Sequence, residues 1–276
     1  MISPGEGLSV SIVVHRSDEA RLRATVASLA RACARLAAEL GLPARLTIVD
    51  NAAREAPLRA VPAGAAERAA FAAIRYVPMD GNPGYGAGHN RALAADCGEF
   101  HLVLNPDVEL DADALGTGIR YLREHPRASG VVPEGRDATG APLYLAKREP
   151  SLLVLLLRAF APALLRRRFA GAMARYEMRD VCARGEAAEV PLASGCFMLL
   201  RGEALRAVGG FCADYFLYFE DFDLSQRLSR VGPLVYLPAM RIVHHGGGAA
   251  RKGLRHVAWF CRSALRYFSA WGWRLL

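Results

Sequence analysis

Short apolar runs alternate with segments of helical periodicity over the first hundred residues, and this alternation restricts the fold more than any other feature. Four of the runs have the length and composition of buried strands, at residues 9–14, 45–49, 74–77 and 100–104. Between the first two, Asp18 is a candidate N-cap, and apolar residues follow at steps of four and three until Gly41 and Pro43. Strands that alternate with helices predict an α/β fold, with a mostly parallel sheet flanked by helices on both faces.

Polar residues follow two of these strands directly. Asp50 ends the second strand, and Asn105-Pro106-Asp107 follows the fourth. Sheets of this kind bind ligands at the carboxyl ends of their strands, so Asp50 either holds a nucleotide or simply caps the next turn. Asn and Pro favour a turn after the fourth strand. The competing interpretation of Asp107 is a carboxylate presented to a hard cation that bridges two phosphates.

A glycine-rich stretch, GNPGYGAGHN from Gly81 to Asn90, runs into a helix that ends near residue 95. Glycines let backbone N–H groups approach an anion at a helix start, so the stretch is similar to a phosphate-binding turn. It has neither the usual spacing of GxGxxG nor the GK[ST] of a P-loop. A tight strand-to-helix turn without a ligand is therefore the competing interpretation.

The second half is less regular. We expect a loop at residues 185–190, one strand at 191–200 with a bend at Ser194-Gly195, and short strands at 234–237 and 241–245. An aromatic run at 215–219 precedes the acidic residues of Glu220-Asp221-Phe222-Asp223, which a helix start favours whatever the function. The pair His244-His245 is either a metal ligand from a loop or a structural pair.

Length and composition indicate one large domain with at most a small appendage. The chain has 276 residues, of which 53% are hydrophobic. Its first residues lack the basic-then-apolar layout of a secretory signal, and no run of about 18 apolar residues is present. The six cysteines are scattered without a CxxC pair, as expected for reduced core residues. We therefore expect a cytoplasmic protein.

The net charge of +8 is concentrated in residues 147–184 and 251–276, each with six more basic than acidic residues. The second segment predicts a helix with an apolar face, a basic face and tryptophans between them. The apolar face comprises Leu254, Val257, Cys261, Ala264, Leu265 and Phe268, and the basic face comprises Arg251, Arg255, Arg262 and Arg266. Such a helix suits an anionic membrane surface, which predicts peripheral attachment at the inner face of the cell membrane. Residues 152–168 are a candidate second contact. The alternative is that both segments pack on the protein's own core.

The order of the motifs is more specific than any one of them. From Ser9 to Gly248 the chain contains SIVV, TIVDN, GNPGYGAGHN, LVLNPD, SGCFMLLRGEALRAVGGFCADYFLYFEDFDLSQRL and VHHGGG. This series resembles the bacterial family 2 glycosyltransferases, especially their rhamnosyltransferase-like branch. The resemblance implies a GT-A fold with a Rossmann-like nucleotide-binding half. The donor half would span about residues 9–110 and the acceptor half about 111–250, followed by the basic amphipathic helix at 251–276.

The resemblance also assigns donor and metal residues. Asp50 matches the family's nucleoside-contacting acid, and Asp107 matches the last acid of the DxD-like motif, here in an Asn-Pro-Asp form. His244 matches the metal-side histidine, with His245 as the alternative, so a divalent metal (Mg or Mn) is implied. The donor-binding residues are predicted to be Val14, Asp50, Asn82, Gly84, Gly86, Asn90 and Asn105. The first strand ends in VHRS, where relatives have an aromatic-Asn pair, so the nucleotide base stays open.

The catalytic assignment falls on the acidic motif. Asp221 matches the family's catalytic base, with Glu220 beside it as support and Asp223 at the helix start. Tyr218, Phe219 and Asp223 are predicted to contact the acceptor. The implied reaction transfers a sugar, first of all rhamnose, from a nucleotide-diphosphate donor with inversion. The implied acceptor is a saccharide or polyprenyl-linked saccharide of cell-surface polysaccharide assembly.

Other functions fit the sequence less well than this one. A sugar-phosphate nucleotidylyltransferase needs a loop rich in glycine and basic residues after the first strand, where this chain reads HRSDEAR without a glycine. A non-catalytic nucleotide-sugar-binding relative would fold in the same way, but the retained Asp107, Glu220, Asp221 and His244 argue against it. The sequence contains no recognised nucleic-acid-binding module, so we expect no nucleic-acid partner.

Overall fold

The computed structural model describes residues 5–55, 58, 61–246 and 253–275. The strands are β1 (Leu8–Val14), β2 (Ala44–Asp50), β3 (Ala73–Pro78), β4 (Phe100–Leu104), β5 (Val108–Leu110), β6 (Gly130–Arg136), β7 (Pro142–Leu143), β8 (Ala146–Lys147), β9 (Ala188–Val190), β10 (Leu192–Ala193), β11 (Phe197–Arg201) and β12 (Leu234–His244). The helices are α1 (Glu19–Leu40), α2 (Ala65–Ala69), α3 (Tyr85–Ala95), α4 (Ala114–Glu124), α5 (Leu152–Phe160), α6 (Ala163–Arg168), α7 (Ala170–Tyr176), α8 (Arg179–Cys182), α9 (Gly202–Ala207), α10 (Glu220–Leu228) and α11 (Leu254–Trp271).

A central 10-stranded sheet has the order β3-β2-β1-β4-β11-β6-β12-β5, with β7 beside β6 and β9 beside β12. The first four strands in that order are parallel, as the alternating pattern predicts. The second half is mixed, because β11 enters the sheet from the opposite end and is antiparallel to both β4 and β6. Val14 and Asp50 are paired at the carboxyl ends of β1 and β2, so the predicted ligand edge exists.

Helix α1 begins and ends where the sequence predicts. The Asp18 carboxylate accepts hydrogen bonds from the N–H groups of Ala20 and Arg21 at 2.9 and 3.1 Å, which satisfies two of the unpaired donors at the helix start. Gly41 has a φ of +64° and ends the helix, its N–H bonded to the Ala37 carbonyl.

Strand β4 shows how the two faces of the sheet are filled. Leu102 and Leu104 face the core formed with α1 and α4, whereas Val103 faces the opposite core. That second core includes Leu205 of α9 and Leu224 of α10. Since successive strand residues point to opposite faces, both faces must be apolar and covered.

Three expectations for the second half need correction. The predicted strand at 191–200 is two strands in different sheets, because β10 pairs with β8 while β11 joins the central sheet. The break lies at Ser194-Gly195, as predicted, and there the Ser194 N–H bonds to the Leu145 carbonyl at 2.9 Å. The predicted loop at 185–190 is wrong at its end, where β9 pairs with β12. The two strands expected at 234–245 are one strand, β12, with a register shift between Leu237 and Arg241.

Helix α11 packs on the aromatic run at 215–219. Ala264, Tyr267 and Phe268 are buried with Tyr215 and Phe219. Only part of the predicted apolar face of α11 takes part in this packing. Ala264 and Phe268 are buried, whereas the other members of that face are exposed, namely Leu254, Val257, Cys261 and Leu265. The predicted positions Arg251, Gly247 and Gly248 lie outside the described residues. Within those residues, no helix combines the length and apolar character that crossing a bilayer requires.

Candidate active site

The glycine-rich turn lies at the carboxyl ends of β1 and β2. The Asn51 Nδ2 group donates to the Gly84 carbonyl at 2.9 Å and lies 3.3 Å from Asn82 Oδ1, which also accepts from the Gly84 N–H. Gly84 has a φ of +103°, and a Cβ there would lie 2.4 Å from the Phe216 carbonyl oxygen, so only glycine fits. Asn51 therefore positions the turn. It was absent from the predicted site, although its place directly after Asp50 at a strand end could have suggested it.

Asp50 is buried at the end of β2, where all of its contacts are internal. Its carboxylate accepts hydrogen bonds from the backbone N–H groups of Ala52 and Leu58 and from the Tyr76 hydroxyl, at 2.9, 3.0 and 2.7 Å. These bonds match the capping interpretation of Asp50. Contact with the nucleoside stays a prediction, as it does for Val14, whose carbonyl accepts from the Asn51 N–H at 2.9 Å.

Gly86 and Asn90 face the turn before the aromatic run. The Asn90 amide donates to the Phe211 carbonyl at 2.7 Å and accepts from the Phe211 N–H at 2.8 Å. A Cβ on Gly86 would lie 2.8 Å from the Phe211 Cβ. Both residues thus hold α3 against residue 211, and direct contact of either with the donor stays a prediction.

Asp107 and His244 meet across β5 and β12. The His244 Nε2 atom lies 3.2 Å from Asp107 Oδ1, yet it is buried without a well-aligned hydrogen bond. Burial alone would lower the pKa of His244, but the Asp107 carboxylate and the Cys196 sulfur raise it to about 10. His245 instead pairs with Glu109 at 2.7 Å. The geometry therefore favours His244 over His245 as the partner of Asp107.

Gly246 leaves space beside this pair. A Cβ on Gly246 would lie 2.4 Å from Asp107 Oδ2 and 2.6 Å from His244 Nε2. A carboxylate oxygen and a neutral imidazole nitrogen are ordinary ligands of divalent cations, and a cation here would replace the proton that Asp107 stabilises on His244. The two side chains and the space that glycine preserves between them therefore fit a cation held jointly by the protein and a phosphate ligand.

The acidic motif lies on the other side of the site, at the start of α10. The Asp221 carboxylate accepts from the Gly195 N–H at 2.8 Å and from the Phe222 N–H at 2.9 Å. Burial is the largest influence and raises the pKa of Asp221 above its usual value, although these N–H groups partly oppose the shift. Glu220 is only 5% exposed, and its Oε2 atom has no hydrogen-bond partner in the described chain. Burial and the charge of Asp221 raise the pKa of Glu220 well above its usual value.

The two residues before this motif have a strained backbone. Tyr218 and Phe219 have φ angles of +72° and +64°, a region that non-glycine residues occupy at a cost of about 1–3 kcal/mol each. Phe219 is buried, and the Tyr218 hydroxyl is 2.9 Å from His256 Nδ1 on α11. This packing holds the strained turn that orients Glu220 and Asp221. Acceptor contact by Tyr218 and Phe219 stays a prediction.

Asp223 is used within the protein. One of its carboxylate oxygens pairs with Arg227 at 2.7 Å, and the other accepts from the Trp271 indole N–H at 3.0 Å. Since the residue is 6% exposed, these contacts join α10 to α11 and leave little surface for an acceptor. The predicted position at the helix start is correct, and the contacts indicate a structural role.

Tyr85 connects the two sides of the site. Its hydroxyl lies 2.9 Å from Asn105 Oδ1 and 2.6 Å from the Gly195 carbonyl oxygen. Asn105 is two residues from Asp107, and the Gly195 N–H bonds to Asp221, so one phenol connects the Asn105–Asp107 turn with the bend that holds Asp221. Sequence reasoning missed Tyr85 because an aromatic residue inside a glycine-rich turn looks like helix packing.

A buried polar chain supports α3 from the sheet. Ser9 and Ser11 lie 2.7 and 2.8 Å from the two ring nitrogens of His101, and Ser11 is also 2.7 Å from His89 Nδ1. Burial lowers the pKa of both histidines, that of His101 to about 3, so both rings are neutral. The serines alternate with apolar residues in β1, and that alternation is the signal the sequence carried for this network.

Known proteins with similar sequences are rhamnosyltransferases. An N-acetylglucosaminyl-diphospho-decaprenol L-rhamnosyltransferase of Mycobacterium tuberculosis is 31% identical over 217 residues, covering 74% of this chain and 67% of the relative. Rhamnosyltransferase WbbL of Escherichia coli K12 is 28% identical over 198 residues, covering 67% of this chain and 70% of the relative. No family model matches the chain.

Solved structures with a similar fold are also sugar transferases. GalNAc-T7 with UDP, GalNAc and Mn²⁺ has a TM-score of 0.64 at 13% identity, covering 96% of this chain and 48% of that one. S. aureus TarS 1–349 with UDP-GlcNAc has a TM-score of 0.56 at 14% identity, covering 95% and 66%. The mannosyltransferase PcManGT of Pyrobaculum calidifontis, with GDP-Man and Mn²⁺, has a TM-score of 0.57 at 15% identity, covering 96% and 67%. The rhamnosyltransferase relatives and the GT-A fold of these structures together show that the chain belongs to the family 2 glycosyltransferases, in their rhamnosyltransferase-like branch.

Proposed function

We propose that this glycosyltransferase moves rhamnose from a nucleotide-diphosphate donor to N-acetylglucosamine that is linked through a diphosphate to a polyprenyl lipid. The names of both relatives supply the sugar, and the name of the Mycobacterium tuberculosis relative supplies the acceptor class. The observation that carries the proposal is the Tyr85 connection, which brings Asp221 and the Asn105–Asp107 turn to one site. A base for the acceptor and a phosphate-side carboxylate are the two groups that such a transfer needs.

In this reaction Asp221 accepts the proton of the acceptor hydroxyl as that oxygen attacks the anomeric carbon of the donor sugar. The bond from that carbon to the diphosphate oxygen breaks, and its electron pair leaves with the nucleoside diphosphate. Attack from the face opposite the leaving group inverts the anomeric configuration. The two backbone N–H groups on Asp221 favour its ionised form, which the base requires before transfer.

Asp107 and His244 would hold the divalent cation, Mg²⁺ or Mn²⁺. Support comes from the buried His244 Nε2 atom, which lies 3.2 Å from Asp107 Oδ1 without a well-aligned hydrogen bond, and from the space beside Gly246. In the described chain no group of three or more His, Cys, Asp or Glu side chains could hold a metal, so donor phosphates and water would have to supply the remaining ligands. A bound cation would stabilise the charge that builds on the departing diphosphate.

A turnover assay tests the proposal. The purified protein is incubated with nucleotide-rhamnose donors and an N-acetylglucosaminyl diphosphate lipid, with Mn²⁺, with Mg²⁺ or with a chelator. We expect a rhamnosylated lipid of inverted anomeric configuration, detected by mass spectrometry and NMR, and its loss with the chelator. Absence of product with every donor would refute the acceptor and sugar, and retained configuration would refute the mechanism.

We also propose that the enzyme attaches peripherally to an anionic membrane, at its cytoplasmic face. Among the described residues nine large apolar side chains are exposed, and all but Val231 belong to α5, α6, α11 and the tail after α11. These eight are Leu156, Leu164, Leu165, Leu254, Val257, Leu265, Trp273 and Leu275. The tail adjoins α5, because the N–H groups of Leu152 and Leu153 bond to the carbonyls of Arg274 and Leu275. Exposed Arg255 and Arg262 flank the apolar side chains of α11.

Vesicle flotation measures this attachment. We expect the protein to float with anionic vesicles at low salt and to detach as salt increases. The double substitution Leu254→Ser and Leu265→Ser should remove most flotation, since each exposed leucine contributes up to about 1.5–3 kcal/mol on full burial. Val231→Ser is the matched control, because that exposed side chain lies elsewhere. Equal flotation of all variants would contradict the assignment.

A further inference from the structure

Two cations converge on one aromatic ring on the acceptor side of the site. The Lys147 Nζ atom lies 5.6 Å from the centre of the Tyr176 ring, and the Arg158 guanidinium lies 5.5 Å from it. Tyr176 is buried at the end of α7, Lys147 ends β8, and Arg158 lies in α5. Two like charges on one ring repel each other, and on the Arg158 side this repulsion is offset by an ion pair with Glu177 at 2.5 Å.

The fold places these cations beside the catalytic carboxylate. In the small sheet Lys147 is paired with Leu192, and two residues later the chain reaches the Ser194-Gly195 bend. The Gly195 N–H bonds to Asp221. Burial is the main influence on the pKa of Asp221 and raises it, while the nearby Lys147 charge lowers it. Lys147 therefore lies within electrostatic reach of the base.

Among the described residues Lys147 has no direct ion-pair partner. Its ammonium donates to the Tyr144 carbonyl, and no described carboxylate lies within the 4.0 Å of an ion pair. Against the effect of burial, the charge of Glu177 raises the pKa of Lys147, but this carboxylate is already shared by Arg158 at 2.5 Å and Arg179 at 2.6 Å. Burial, followed by the charge of Arg158, lowers the pKa of Lys147 to about 8. A poorly solvated cation without a counter-ion destabilises the folded protein, and a bound anion would offset that cost.

We propose that Lys147 and Arg158 bind the diphosphate of the lipid-linked acceptor. This inference rests on the proposed function, in which that diphosphate joins the acceptor sugar to its lipid. Arg158 is two residues from Leu156, one of the exposed apolar side chains proposed to meet the membrane. A lipid diphosphate at the membrane surface would thus meet Arg158 on α5 and Lys147 beside Asp221. Its sugar hydroxyl would then reach the base.

The donor also carries a diphosphate, so the test must separate the two. Binding is measured with a short-chain alkyl N-acetylglucosaminyl diphosphate, with the alkyl N-acetylglucosaminide of the same chain, and with nucleoside diphosphates. We expect the parent to bind the diphosphate acceptor at least about tenfold more tightly than the glycoside, as charge-assisted hydrogen bonds allow. Lys147→Met and Arg158→Gln should each reduce that preference by roughly tenfold. Lys147→Arg, which keeps the charge, should restore part of it.

Arg148→Gln is the matched control, because Arg148 is adjacent to Lys147 in sequence and pairs with Asp180 at 2.9 Å, but it is not one of the two cations described at the Tyr176 ring. It should keep the parental preference. The proposal is overturned if the parent shows no preference, if the variants keep it, or if they weaken only nucleoside diphosphate binding, which would assign the cations to the donor. A parent that prefers the diphosphate acceptor but transfers no sugar would refute the proposed function and leave this site in place. If Lys147→Met fails to fold, Arg158→Gln on the exposed side decides the question.

Discussion

Replacing Asp221 with asparagine separates a catalytic role from a structural one. Both carboxylate oxygens accept backbone N–H groups, from Gly195 at 2.8 Å and from Phe222 at 2.9 Å. An asparagine can accept only one of these bonds, since its NH₂ group must face the other donor. Loss of one hydrogen bond to a charged group costs about 1.5–3 kcal/mol, partly offset because a buried charge is removed. We therefore expect Asp221→Asn to lower Tm by roughly 2–10 °C.

The effect on turnover should be much larger. An amide cannot take the acceptor proton, and a positioned base typically contributes ~10²–10⁴-fold in rate. A carboxylate that only stabilised the helix start would be worth about 0.3–1 kcal/mol and would leave turnover near normal. The assay is transfer at saturating donor and acceptor, with donor binding and Tm measured on the same preparation. If Asp221→Asn transfers sugar at nearly the parental rate while Glu220→Gln is inactive, the base is Glu220. If both variants remain active, neither carboxylate is the base.

Further variants address Glu220, the metal side and the Tyr85 connection. The folded-state pKa of Glu220 is raised above its usual 4.5, so the folded protein keeps the Glu220 proton to higher pH than the unfolded chain does. The parent should therefore lose stability as pH rises above 4.5, and Glu220→Gln should flatten this decline in Tm between pH 5 and 8. An unchanged slope would contradict this prediction. Asp107→Ala and Gly246→Ala should each remove most Mn²⁺-dependent nucleoside diphosphate affinity by calorimetry, whereas the control Glu109→Ala should keep it; full affinity in Asp107→Ala would make Asp107 a turn residue only. Tyr85→Phe should lower stability by about 1–3 kcal/mol in denaturant titrations and reduce kcat more than donor affinity; a parental kcat would show that the bridge does not position the base.

The first half of the fold could be predicted from local patterns. Strand β1 and helix α1 each contain a complete signal, namely an apolar run of strand length and an apolar stripe between Asp18 and Gly41. These signals depend on neighbours within a few residues, so no knowledge of distant contacts is needed. The second half of the fold could not be predicted in this way, because its strands depend on partners that are distant in the sequence. The segment at 191–200 divides because its two parts pair with β8 and with β4, which are far apart in the sequence.

The candidate site was likewise predictable from the sequence only in part. The order of motifs pointed to Asp107, His244, Glu220 and Asp221 through the resemblance to a family, because the local chemistry of each residue also fits a turn, a helix start or a structural pair. Their distances and the choice of His244 over His245 depend on β5 pairing with β12.

By itself, the sequence determined the class of fold and the family and supplied the candidates for the reacting groups, because each depends on short segments. The tertiary structure alone decided which polar groups are satisfied within the protein and which are not. Asp50, Asn90 and Asp223 have the residue types of ligand-binding groups, yet their hydrogen bonds are used internally. Lys147 appears unremarkable in the sequence but lacks a described counter-ion beside the base. The physical reason is that a polar side chain's role depends on its partners, and folding brings those partners from residues far away in the chain.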